Sequence, residues 1–257
     1  MSYGEIGLNT LKFLIIFFLG AFVMRSVGCI VNDIFDRNID KKVDRTKLRP
    51  LASSQITLTK AIILLLILSA MGLYVLINLN PPAIILGLVI APLIVLYPLA
   101  KRFFIIPQLV LAMIYNWGSI IGWVTIQSPY KFNNILILYS ALIIWTIIYD
   151  TVYATQDEMD DRKMSLYSSV IFFDSKRFQI INFLICLKYA LLCFFAYSLN
   201  YHFIFYVLII SVFIVNLLDI HMKWKNLSQN ALGYFKRNNH YALLILFSIM
   251  IGSQLNV

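Results

Sequence analysis

The sequence predicts an all-α protein, a bundle of membrane-spanning helices, on three observations. Hydrophobic residues make up 61% of the 257 positions and charged residues only 13%, with a mean hydropathy of +0.82. A soluble domain of this length carries about twice that share of charge. The apolar positions fall into long runs near the ~20 residues that a helical span needs. Those runs are continuously apolar, whereas spanning strands alternate in polarity over ~10 residues.

Eight such segments are expected, at residues 11–32, 58–79, 83–100, 104–126, 134–154, 178–198, 202–220 and 240–256, forming one integral-membrane domain over residues 1–257. Residues 33–60, 101–102, 155–177 and 221–240 carry 17 of the 21 Lys and Arg, all on one side if every segment crosses; Lys12, Arg25, Lys131 and Lys188 are the rest. By the positive-inside rule that side is cytoplasmic, and in a bacterium the membrane is the inner one. The first apolar run has no small-residue cleavage site and leads straight into an acidic stretch, which argues against a cleaved signal peptide. Cys29, Cys186 and Cys193 have no metal-ligand spacing and read as buried apolar thiols.

The first segment, if it continues as a helix, carries Asn32 and places Asp33, Asp36 and Asp40 at i, i+3 and i+7 on one face. Three carboxylates beside a hydrocarbon core call for cations or a bound metal ion. Magnesium (Mg2+) suits them, because it takes oxygen ligands and shares them with substrate phosphate. Arg25 lies inside the span, seven residues before Asn32 on the same face, and reads as a cation for an anionic ligand. The basic run from Lys41 to Leu51 follows, too short for a domain; beside the carboxylates it suits a phosphate-bearing ligand. Nucleic acid is excluded as a partner, since no basic fold of any size stands outside the membrane.

Ser53, Ser54 and Thr57 offer caps for the second segment. Asn78-Leu79-Asn80-Pro81-Pro82 makes a tight turn, and Lys101-Arg102 returns two cations to the acidic side. Gly118 and Gly122 in the fourth segment would permit close helix contact. The fifth descends to a second acidic cluster. On a continued helix Asp150, Asp157 and Asp161 fall at i, i+7 and i+11 on one face, with Asp160 beside them. His202, His221 and His240 read as surface or turn residues. Lys223, Lys225, Lys236 and Arg237 form a positive loop, after which Asn238-Asn239-His240 opens the final helix.

These motifs resemble the UbiA superfamily of intramembrane prenyltransferases, and in particular its 4-hydroxybenzoate polyprenyltransferase branch. The first has the form NDxxDxxxD and continues into Arg45-Thr46 and Arg49-Pro50-Leu51. The second runs Tyr149-Asp150-Thr151-x-Tyr153-Ala154-x-Gln156-Asp157-x-x-Asp160-Asp161. Tyr97-Pro98, Lys101-Arg102, Pro107-Gln108 and Met24-Arg25 before Gly28-Cys29 fit as well. The likeness covers essentially the whole chain. It implies a ring of nine helices around a central cavity open to the cytoplasmic side, so that this chain begins just ahead of the family's second span.

The resemblance also implies the chemistry. A polyprenyl group passes from its allylic diphosphate to the ring carbon beside the hydroxyl of 4-hydroxybenzoate, in ubiquinone biosynthesis. By motif match, Asn32, Asp33, Asp36 and Asp40 hold one magnesium ion and Asp157 and Asp161 another. Arg25, Lys47, Arg49, Lys101 and Arg102 contact diphosphate oxygens. Asp150 accepts a hydrogen bond from the acceptor hydroxyl, and Tyr149, Tyr153 and Tyr97 shape its pocket. Asp36, Asp150 and Asp157 are the expected catalytic residues. Membrane lipid holds the apolar tail. Prenylation of a naphthoate or of haem, a transporter, and an inactive paralogue lacking a span stay open as alternatives.

Overall fold

The computed structural model describes residues 8–127 and 131–255, and among them there is no strand. Eleven helices follow in order: α1 (Leu8–Asp40), α2 (Leu58–Ile77), α3 (Pro81–Leu96), α4 (Ala100–Phe103), α5 (Pro107–Ile126), α6 (Phe132–Ala154), α7 (Glu158–Lys163), α8 (Ser169–Phe173), α9 (Arg177–Ser198), α10 (Phe203–Lys223) and α11 (Leu227–Gln254). Among the described residues, seven stretches are long and apolar enough to cross a membrane, the last being Phe203–Gln254 at 52 residues. The 3-10 turn Trp224–Asn226 breaks that stretch into α10 and α11. Eight long helices therefore stand where eight spans were expected. The expected end of the last span, residue 256, lies outside the described residues.

The chain forms two compact units, residues 1–100 with 120–128, and residues 101–119 with 129–257. In the first, α1 packs on α2, and α2 on α3. Val23, Val27 and Val31 form the buried stripe of α1 at the four-residue spacing of one helical face. Gly72 of α2 sits 2.8 Å, measured from where its Cβ would be, from the sulfur of Met24, so a larger residue there would displace the Met24 side chain. Thr57 caps α2, as its position predicted, accepting from the Lys60 N–H at 3.4 Å. Asn80 does two jobs: its Oδ1 accepts from Ala83 N at 3.2 Å and its Nδ2 donates to the Val124 carbonyl at 2.8 Å. The two prolines that end the preceding turn occupy the first helical positions of α3, where a missing N–H costs nothing.

In the second unit α6 packs on α9 and α11, and α10 packs on both. Ile148, Val152, Ile181, Ile185, Ile209 and Ile220 have no measurable exposure and form the centre. Lys188 is the most buried cation among the described residues, at 1% exposure. Its ammonium lies 4.1 Å from the centre of the Tyr189 ring and 4.8 Å from that of Trp145, so two aromatic faces stand in for water. Asn116 joins α5 to α6, its Nδ2 donating to Thr146 Oγ1 at 2.8 Å and to the Leu142 carbonyl at 3.2 Å.

Three expectations fail here, each for a physical reason. The final helix begins at Leu227 rather than near residue 240, so Lys236 and Arg237 are helical, not in a loop. Neighbouring helices bond several polar groups of its first half. Buried Asp219 accepts from Arg237 Nε at 2.8 Å and from the Tyr241 hydroxyl at 3.0 Å, and pairs with Lys223. Asn238 opens no helix: it is buried at mid-helix, accepting from Trp145 Nε1 at 2.8 Å. Cys29 and Cys186 are exposed, because the outer face of a membrane helix is apolar too and a thiol there needs no protein cover. Gly118 has nothing within 4 Å of a Cβ position, so it mediates no close helix contact.

Candidate active site

The first acidic motif rides on an unbroken helix. α1 continues through Asn32 to Asp40, which puts Asp33, Asp36 and Asp40 on one face as the spacing requires. Asp36 and Asp40 are buried, at 4% and 6% exposure. Arg49 reaches back from the following turns, and its Nη1 donates to Asp33 Oδ1 and Asp40 Oδ2, each at 3.0 Å. One guanidinium thus offsets the repulsion between two of the three acids. The intervening chain is short because it is a run of tight turns around Val43, which is buried, and Thr46, whose hydroxyl donates to the Asp40 carbonyl at 3.1 Å.

Around this motif the other expected residues take different positions. The Tyr97 hydroxyl lies 3.4 Å from Asn32 Oδ1 and 3.5 Å from the Gly28 carbonyl, close enough to orient the amide. Lys47 is exposed and pairs with its neighbour Asp44 at 2.7 Å. Arg25 is exposed on α1. Arg37, which sequence reading passed over, lies within the motif, and its Nε is buried without a hydrogen-bond acceptor among the described residues.

The second motif is built differently, and the expected continuous helix is not there. α6 ends at Ala154, where the N–H groups of Thr155, Gln156 and Asp157 bond three residues back to Val152, Tyr153 and Ala154, at 3.3, 3.2 and 3.1 Å. The Thr155 hydroxyl also takes the Val152 carbonyl at 2.7 Å. These tight bonds use the carbonyls that a further α-turn would need. Asp150 therefore stays on α6, while Asp157 stands at the N-cap of α7 and Asp161 within it. The Asp161 N–H bonds to the Asp157 carbonyl at 2.8 Å, so the two acids are one turn apart on a short helix. Glu158, Asp160 and Asp161 fill the first turn of α7, where negative charge is favoured by the helix dipole. On exposed Arg162, the hydrogen bond to Glu158 raises the proton affinity of the guanidinium.

A buried polar knot fixes the segment after α7. Gln108 Oε1 accepts from the Ser169 N–H at 2.9 Å, its Nε2 lies 3.4 Å from Ser168 Oγ, and Ser169 Oγ meets Thr151 Oγ1 at 2.7 Å. The Tyr167 N–H donates to the Lys101 carbonyl at 2.9 Å. Lys101 and Arg102 are exposed, and this bond anchors their segment to the chain that leaves the second motif. Tyr149 and Tyr153, four residues apart on α6, both pack on Phe235 of α11, at ring separations of 5.5 and 4.9 Å. Phe235 carries no motif, and nothing in the sequence pointed to it.

No three His, Cys, Asp or Glu among the described residues converge closely enough to hold an ion by themselves. Magnesium does not require such a cage, since it keeps waters and takes one or two carboxylates together with phosphate oxygens. Two sets of carboxylates at helix ends, with an amide in the first, have the hard-oxygen chemistry that ion prefers.

Residues 1–240 match the UbiA prenyltransferase family. The chain is 38% identical over 248 residues to a 4-hydroxybenzoate octaprenyltransferase of Francisella tularensis, covering 95% of this chain and 86% of the relative. It is 45% identical over 158 residues to the mitochondrial 4-hydroxybenzoate polyprenyltransferase of Drosophila melanogaster, covering 62% of this chain but only 40% of that protein. Among solved structures, a UbiA homologue from Aeropyrum pernix superposes with a TM-score of 0.79 at 24% identity, over 94% of this chain and 90% of the other. A homologue from Archaeoglobus fulgidus bound to GPP and Mg2+ superposes with a TM-score of 0.71 at 18% identity, over 95% and 88%. The fold, the two acidic motifs and the matched length agree: this chain belongs to the UbiA prenyltransferase family.

Proposed function

We propose that the chain transfers a polyprenyl group from an allylic polyprenyl diphosphate to the ring carbon beside the hydroxyl of 4-hydroxybenzoate, releasing diphosphate, as a step in ubiquinone biosynthesis. The observation that carries this reading is the identity to the Francisella enzyme across 86% of that protein's length. The homologue bound to GPP and Mg2+ supports the choice of a prenyl diphosphate and a magnesium ion.

When bound, magnesium would neutralise charge that builds on the leaving diphosphate. Asn32, Asp33, Asp36 and Asp40 would hold it on the first motif, and Asp157 and Asp161 on the second. Arg25, Lys47, Lys101 and Arg102 lie on the diphosphate side of the reaction as charge-assisted donors. Arg49 already serves Asp33 and Asp40, so its contribution is to hold those acids in place. Asp150, at the last turn of a membrane helix, accepts the proton of the acceptor hydroxyl as the ring attacks, which raises the electron density of the carbon beside it. Tyr149 and Tyr153 are fixed by Phe235, and Tyr97 orients Asn32. The basic side and both motifs face the cytoplasm of a bacterial inner membrane.

The test is prenylation of labelled 4-hydroxybenzoate by membranes containing this chain and an allylic polyprenyl diphosphate, with and without magnesium. Magnesium-dependent product ortho to the hydroxyl is the expected outcome. Product on a naphthoate or haem instead would replace the acceptor; no magnesium dependence would overturn the metal assignment.

A further inference from the structure

Within the second motif, Glu158 lies between the two acids proposed to hold metal, yet its surroundings are unlike theirs. Both of its carboxylate oxygens are taken by arginine. Arg177 Nη2 lies 3.0 Å from Oε1 and 3.0 Å from Oε2, and Arg162 Nη2 lies 3.0 Å from Oε1. The two arginines differ in setting. The Arg162 side chain is 47% exposed and shares itself with Asp174 at 3.2 Å, whereas the Arg177 side chain is 19% exposed and also donates to the Val170 carbonyl at 3.2 Å. Val170 is fully buried in α8, and Arg177 is the first residue of α9.

The backbone leaves α7 poorly aimed. α6 stops at Ala154, three residues of turn follow, and α7 is a helix of only six residues. Such a helix has little stability of its own. A contact from inside it to a long, packed helix is what can set its orientation. Exposed ion pairs do this weakly, since they are worth little and are screened by salt. A mostly buried pair with both oxygens engaged is stronger and more directional.

We infer that Glu158 and Arg177 form a clasp that aims α7, and so act as positioning residues for Asp157 and Asp161 rather than as ligands. This rests on the reading that those two acids bind a divalent ion with diphosphate, and it adds a specific division of labour within the motif. Glu158 is an acid of the motif that the metal does not use.

The test uses the full chain in detergent, with manganese(II) binding in the presence of inorganic pyrophosphate read by electron paramagnetic resonance, alongside thermal unfolding. Glu158→Gln and Arg177→Gln should each weaken manganese binding about tenfold. The double variant should be no weaker than either single one, because both break the same contact. Arg162→Ala should stay within about twofold of the unaltered chain. Unchanged binding in either Gln variant would overturn the clasp, as would independent, additive losses. So would a lower melting temperature with unaltered manganese affinity, which would make the pair structural only. A chain that binds no manganese even unaltered would instead sink the metal reading itself, a different failure from loss confined to the variants.

Discussion

The two acidic motifs carry similar residues and are supported in opposite ways. Asn32 to Asp40 stand on the last turns of a 33-residue helix that is buried along Val23, Val27 and Val31, and Arg49 ties two of the acids. Asp157 and Asp161 stand on a six-residue helix after a break, held by side chains that reach in from α9 and, around the next segment, from α5. A long helix fixes side-chain direction through its own hydrogen bonds, so few extra contacts are needed. A short helix borrows its rigidity. The first motif should therefore fail mainly when its acids are changed, and the second also when its distant supports are.

The largest effects should come from the acids on both sides of this comparison. Asp36→Ala and Asp157→Ala should each lower turnover by roughly a thousandfold or more while membrane insertion is unchanged, in line with losses of several kcal/mol when charge stabilisation is removed. Activity retained in either variant would break the two-metal reading. Asp150→Asn should cost about a hundredfold in turnover, the low end for general acid–base catalysis, with little change in apparent affinity for the prenyl diphosphate. Equal loss of both would place Asp150 with the metal ligands instead.

Smaller effects should separate the supports. Arg49→Ala leaves buried Asp40 without its cation and should lower stability by roughly 1.5–3 kcal/mol, with Arg49→Lys recovering part of it because the positive charge is kept. Gln108→Ala strands the Ser169 N–H and should cost about 1–3 kcal/mol, read as a lower melting temperature in detergent. If the second motif borrows its rigidity as described, that variant should also weaken turnover. Lys47→Ala should be the mildest, within about 0.5 kcal/mol in stability, since its pair with Asp44 is solvent-exposed. A several-fold rise in KM for the diphosphate in that variant would support its direct contact; no change would leave Lys47 as a surface residue.

Hydropathy made the eight long helices legible, because nothing but a membrane helix explains runs of that length and polarity. It ended the first segment at residue 32, whereas the three acids at i, i+3 and i+7 share one face only if the helix continues, and α1 does run on to Asp40. It failed where polarity and helicity part company. Residues 227–239 are polar enough to read as a loop, yet they are helical, with Asp219 and Trp145 on other helices bonding Arg237 Nε and Asn238 Oδ1. The break after Ala154 left no trace either, as no Pro or Gly marks it and the cause is a local change of hydrogen-bond partner. In the site, residue types were legible and their pairing was not. Arg49 is 16 positions from Asp33, and Phe235 is more than 80 from Tyr153 and belongs to no motif.

Lys188 has a consequence for how the protein is made. A lysine at the middle of a span raises the free energy of insertion by about 2.5–3.5 kcal/mol on the translocon scale, so α9 settles in lipid alone less readily than its apolar residues would by themselves. The aromatic ring that receives its ammonium from another helix, Trp145, lies on α6, which emerges from the ribosome earlier. The integration of α9 is therefore expected to depend on the presence of α6. A Trp145→Leu chain should show it first at biogenesis, as a larger fraction of α9 left unintegrated, before any assay of turnover is run.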